Sequence, residues 1–146
     1  MRVRGGPERG SVLMLMPAAA LVFIVLGAIA VDFAVVFLGE REVANAAASA
    51  ANDAASQGVD RDGFYATATV RLDPGVASRV AARSVDAAGL DDHLDDIVVT
   101  TRVAADAPEV TVTVRAHVHH LFGSALPGGP EGTDVEATAV ATARQE

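Results

Sequence analysis

Three histidines close to the end of an alternating segment are the side chains best suited to metal chemistry in this chain. His117 and His119 are two residues apart, so on a β-strand they lie on one face and could bind the same ion, whereas His120 points the other way. The chain has no cysteine, and the sequence offers no obvious third ligand. We therefore expect a solvated polar face, with His117 and His119 as weak metal candidates and no cofactor.

Acidic residues are dense between positions 91 and 96, where the sequence reads DDHLDD. This segment lacks the glycine and the distal glutamate of a calcium-binding loop, so we expect an acidic, solvated turn. A nucleophile elbow, a phosphate loop and a zinc-protease helix are also missing from the sequence. Gly128-Gly129-Pro130 has no lysine beside it and does not open a helix. We expect no enzymatic activity.

The elements that must position these residues follow an apolar run from Val12 to Leu38. Its first twenty residues carry no charge and, at about 1.5 Å per helical residue, cover the roughly 30 Å hydrocarbon core of a bilayer. We expect a cytoplasmic basic leader at 1–11 and a transmembrane helix at 12–38. Arg2, Arg4 and Arg9 outnumber Glu8, which favours a cytoplasmic N-terminus in the cell membrane and an extracytoplasmic C-terminal domain.

Asp32 is the only ionisable residue within the apolar run. Either it lies at the outer interface, where water reaches it, or it makes a contact that orients a partner helix. Asp32 and Pro17 are accordingly candidates for intramembrane or interfacial contacts. Ala28-Ile29-Ala30 also fits a signal-peptidase site, and cleavage there would release a soluble binding module that could use the loop 123–132.

The helix is expected to continue outside the membrane over residues 39–57 and to stop at Gly58. Small residues on one face of this segment allow close packing, either on the protein's own sheet or on neighbouring helices of an assembly. The predicted packing residues are Ala44, Ala47, Ala48, Ala51 and Ala55.

The remaining residues, 58–146, predict one small exported domain. Alternating patterns predict strands at 64–72, 97–103, 110–120 and 133–143. Asp73 and Pro74 predict the start of a short helix that Gly89 closes. The fold class is therefore α+β, with the long helix packed on a small antiparallel sheet of about four strands. The chain has a net charge of −8, which comes from the part after the transmembrane helix because the leader is net positive. This acidic balance argues against nucleic acid as a partner.

Arg9-Gly10-Ser11 before an apolar helix, Pro17 inside it and Gly27-Ala28-Ile29-Ala30-Val31-Asp32 near its outer end resemble the TadE/TadG-like proteins of tight-adherence (Flp) pilus systems. The TadG-like branch is the most similar, and residues 8–57 carry the likeness. The resemblance implies a pilin-like fold and the role of a minor pilin-like or assembly component in a pilus or secretion apparatus. Its partners would be other subunits of that apparatus and membrane lipid, in a homo- or hetero-oligomer, and no catalysis is implied.

The resemblance also makes Gly10-Ser11 a candidate processing site for a prepilin peptidase. Precursors cut at such a site usually carry a glutamate at the fifth position after the glycine, and here that position is Leu15. That carboxylate would pair with the new N-terminal amine of a neighbouring subunit. Because Leu15 cannot do so, we expect an uncut, permanently anchored subunit.

Overall fold

The computed structural model of the chain describes residues 9–60, 65, 69–90, 94–125 and 128–143, with the backbone alone described for 9–14. Two helices and three strands follow one another in the order α1, α2, β1, β2, β3. Their bounds are Arg9–Gln57 for α1, Pro74–Ala87 for α2, Leu94–Val103 for β1, Glu109–His119 for β2 and Gly132–Thr142 for β3. The architecture is α+β, as the sequence predicts.

Helix α1 runs for 49 residues and includes Pro17. It ends at Gln57, and the Gly58 N–H donates to the carbonyl oxygen of Ala54 at 2.9 Å. A Cβ atom at Gly58 would lie 2.3 Å from that carbonyl, so the chain turns away from the helix only because the side chain is absent. The predicted stop at Gly58 is confirmed.

The sheet has the order β1-β2-β3, and both pairings are antiparallel. Buried and less buried side chains alternate strictly along the central strand β2, because one face is covered by helices and the other is open. Helix α1 packs on β2 and β3, and α2 packs on α1 and β1. The buried side chains of β2 are those expected from the alternation: Val110, Val112, Val114, Ala116 and Val118.

The prediction of about four strands is corrected to three among the described residues. Of the segment 64–72, Leu72 forms a single antiparallel bridge with Val59, and Thr69 and Val70 lie outside any strand. Phe64 and residues 66–68 lie outside the described part of the chain. Two backbone hydrogen bonds hold this connection against the end of α1. The Asp60 N–H donates to the Arg71 carbonyl, and the Asp73 N–H donates to the Gly58 carbonyl. The alternation indicated a half-buried segment but not its partner.

Helix α2 begins where the sequence predicts. The Asp73 carboxylate accepts a hydrogen bond from the Val76 N–H at 2.8 Å, and Pro74 occupies the first turn. Gly89, at φ +65°, ends the helix in the left-handed region that glycine adopts without strain. The Ser84 hydroxyl donates to Asp53 at 2.7 Å, which ties α2 to α1.

The face of α1 that packs on the sheet differs in phase from the predicted alanine face. Ala47, Ala51 and Ala55 are buried as predicted, but Ala44 and Ala48 are exposed. The buried stripe is displaced by about one residue from the predicted face, because the sheet and α2 together cover this half of α1. The helix comes close to the sheet at Gly39, where a Cβ atom would lie 2.6 Å from Val118 Cγ2. The buried stripe comprises Val43, Ala46, Ala47, Ala50, Ala51, Ala54 and Ala55.

Candidate functional site at the junction of helix and sheet

The first half of α1 has almost no contact with the rest of the described chain. Large apolar side chains from Leu15 to Leu38 are exposed, including Phe23 at 75%. The described part of the chain contains one helix long and apolar enough to cross a membrane, with none of its most apolar window buried within the protein. Contact with the sheet begins only around Val35 and Val36 and becomes close at Gly39. Helix α1 therefore has a bare apolar first half and a second half that packs on the rest of the domain.

Asp32 lies near the boundary between these halves and binds the protein's own backbone. Its Oδ1 atom accepts hydrogen bonds from the N–H groups of Leu121, at 2.8 Å, and Phe122, at 3.0 Å. These residues follow the end of β2 and precede a short 3-10 turn at Gly123–Ala125, and the first N–H groups of such a turn have no partner within it. A carboxylate satisfies such donors well, so Asp32 attaches the β2–β3 connection to α1.

This attachment creates an apolar groove of about 520 Å³ between α1 and the β2–β3 connection. Side chains of α1 from Ile24 to Val36 form one wall, and Phe122, Ala125 and Pro130 contribute to the other. Asp32, His120 and Thr133 supply the few polar groups at its edge. His120 is held there by Thr133 Oγ1 at 3.0 Å from its Nε2 atom. The groove is suited to hydrocarbon and has few groups for a polar ligand.

The other two histidines lie on the open face of the sheet, where each pairs with a carboxylate. His117 Nδ1 is 2.6 Å from Asp134 on β3, and His119 Nε2 is 2.7 Å from Asp95 on β1. The two rings meet edge to face, with centroids 5.0 Å apart. No group of three or more metal-binding side chains with suitable geometry occurs in the described residues. These cross-strand pairs link the three strands at one end of the sheet.

The remaining predicted site residues are spread along α1. Gly10 and Ser11 lie in its first turn, and Pro17 is exposed in the bare half two turns further on. Leu15 is exposed as well. Of the acidic segment 91–96, residues 91–93 lie outside the described part of the chain. The structure therefore brings Asp32 together with a distant loop but leaves Gly10, Ser11 and Pro17 apart from the sheet.

Leu121 and Phe122 were not singled out by the sequence analysis, although the structure places both at the junction. Leu121 is 62% exposed and Phe122 is 46% exposed. The available signal was an apolar pair directly after a strand and before a loop rich in glycine and proline. Phe122 lines the groove together with apolar side chains of α1, and a contiguous exposed apolar patch of this kind marks an interaction site.

Comparison of the chain with protein-family models, with curated proteins and with solved structures gives no match. The features of the site are a bare apolar helix, a carboxylate that holds a loop, and an apolar groove with few polar groups at its edge.

Proposed function

We propose that this protein is a membrane-anchored subunit of an envelope-spanning assembly, acting by helix packing and protein–protein contacts rather than by catalysis. The observation that carries the proposal is the division of α1 into a bare apolar half and a half packed on its own sheet. Exposed apolar surface along residues 15–38 is far more than a water-soluble monomer tolerates. A bilayer is the environment in which such a surface is stable.

The orientation follows from charge. Arg2, Arg4 and Arg9 precede the apolar half of α1, with Glu8 as the only acidic residue among them. The positive-inside rule then assigns the N-terminus to the cytoplasm and the α+β domain to the outside. The acidic domain is compatible with export and unsuited to nucleic acid.

A surface for partner subunits is available on the packed half of α1, directly beside its buried stripe. Ala44 and Ala48 are one turn apart and exposed, and Asn45 and Ser49 beside them are also small. Small side chains let a neighbouring helix approach closely. Together with the resemblance of residues 8–57 to TadE/TadG-like proteins, this surface supports a minor pilin-like or assembly component of a Flp/Tad-type pilus or a related secretion apparatus.

Intact mass spectrometry of the protein extracted from membranes tests the anchor. We expect the full-length mass, because Leu15 replaces the carboxylate that usually accompanies cleavage after Gly10. A chain that begins at Ser11 would contradict the uncut subunit. A chain that begins at Val31 and occurs in the soluble fraction would replace the proposal with the alternative, a binding module released by signal peptidase.

Site-specific photo-crosslinking in the native cell tests the assembly. A photoreactive residue at Ala48 is expected to capture other envelope proteins. The matched control is Ala82, an exposed alanine on α2. Equal capture at both positions would contradict a dedicated surface on α1, since Ala82 reports only accidental encounters.

A further inference from the structure

The β2–β3 connection lies beside the apolar half of α1, at the height of Asp32. The exposed apolar surface of α1 continues through Phe33 and Phe37 to Leu38. From Val12 to Leu38 the helix rises roughly 40 Å, which matches the hydrocarbon core together with part of the headgroup region. Asp32 is six residues before Leu38, or about 9 Å below the upper end of this apolar surface.

Leu121 and Phe122 are held at the height of Asp32, because their backbone N–H groups bind its carboxylate. Both side chains are large, apolar and substantially exposed, at 62% and 46%. They therefore lie below the upper edge of the apolar surface of α1 and not above it. A polar loop would be costly at this depth, whereas an apolar pair is stabilised there.

We propose that Leu121 and Phe122 insert into the outer leaflet, so that lipid acyl chains cover them and enter the groove between α1 and the β2–β3 connection. This proposal rests on the membrane anchor of the proposed function. The lining of the groove by Ile24, Ile29 and Phe33 continues the lipid-facing surface of the helix, so one acyl environment covers both. Asp32 can remain at this depth because backbone donors bind it.

The charge of the exported part favours insertion by apolar contact alone. No lysine or arginine occurs between Arg115 and Arg144, so the inserted segment offers neither side chain to an anionic headgroup. Glu131 and Asp134 would instead be repelled by an anionic surface. The insertion should therefore depend little on lipid charge, and neutral phosphatidylcholine should be sufficient.

Depth-dependent fluorescence quenching tests the insertion. The chain contains no tryptophan, so each substituted full-length protein in phosphatidylcholine vesicles reports from one site. Leu121→Trp and Phe122→Trp are expected to show blue-shifted emission and strong quenching by lipids spin-labelled at shallow acyl positions. Phe23→Trp should be quenched by labels near the bilayer centre. Val98→Trp, at an exposed position on the open face of the sheet, should not be quenched.

The outcomes separate this proposal from the one on which it rests. If Phe23→Trp is quenched while Leu121→Trp and Phe122→Trp resemble Val98→Trp, the insertion is wrong and the anchor stands. Blue-shifted but unquenched emission at Leu121 would also overturn the insertion, since protein rather than lipid would then cover the loop. Absence of quenching at Phe23 would remove the membrane anchor itself, together with the insertion.

Discussion

A larger side chain at Ala47 tests which face of α1 is buried in the domain. Ala47 has 0% exposure and belongs to the buried stripe of α1, whereas Ala48 is exposed. Ala47→Leu places three additional carbon atoms in a filled interface, which typically costs about 1–3 kcal/mol of the free energy of unfolding. Ala48→Leu adds the same atoms toward solvent and should change that free energy by less than about 0.5 kcal/mol. Alanine and leucine are both strong helix formers, so helix propensity contributes little to the comparison.

Hydrogen exchange of the full-length protein in detergent micelles measures the difference. The amides of β2 are the appropriate probes, because this strand is central and its inward side chains are buried beneath α1. A loss of about 1–3 kcal/mol predicts exchange roughly five to a hundredfold faster in Ala47→Leu, since each 1.4 kcal/mol is about tenfold. The reasoning would be refuted if Ala48→Leu accelerated exchange as much as Ala47→Leu, because the buried face would then be the one predicted from the alanine pattern alone.

Three further substitutions test individual contacts. Asp32→Ala should increase amide exchange at Leu121 and Phe122 while β2 remains protected, because only the attachment of the loop is lost; unchanged exchange at those two amides would exclude the contact. Ser84→Ala removes the hydrogen bond to Asp53 and should lower the unfolding free energy by about 1 kcal/mol in urea titration, and a neutral result would mean that the bond does not stabilise the helix pair. Gly89→Ala should lower the free energy of unfolding by about 1–2 kcal/mol, because alanine is strained at positive φ. An unchanged midpoint of thermal unfolding would contradict this prediction.

Much of the secondary structure could be predicted because its causes are local. The absence of charge from Val12 to Val31 and the run of helix formers after Leu38 account for α1. Gly58 accounts for its end. The Asp73-Pro74 pair predicted the start of α2, where the cap is observed. Alternation from Val110 to Val118 predicted the buried face of β2. Each of these signals involves residues within a few positions of one another.

The segment 64–72 shows where local alternation is insufficient. A period of two indicates one apolar face, but the same pattern suits a strand in a sheet and an irregular segment that covers the end of a helix. The choice depends on which backbone groups the segment can pair with. Here the Asp73 N–H donates to the Gly58 carbonyl, and the Arg71 carbonyl accepts from the Asp60 N–H. Leu72 is buried in either arrangement.

The candidate site could be predicted only in part. Asp32 was identified because a carboxylate in an apolar run is costly. The two hypotheses for it were contact with solvent at the outer interface and contact with a partner helix. Its observed partner is the backbone at Leu121 and Phe122, which is about 90 residues away along the chain. His117 and His119 were placed correctly on one face, although their carboxylate partners Asp134 and Asp95 come from different strands.

The sequence by itself determined the apolar length of α1, the excess of arginine before it and the alternation of β2, because hydrophobicity and charge act through local periodicity. Only the tertiary structure decided which face of α1 is buried and which loop Asp32 binds. Both depend on contacts between residues far apart in the chain: the sheet and α2 cover one side of α1, and the Asp32 carboxylate binds backbone about 90 residues away. No pattern within a single segment contains such contacts.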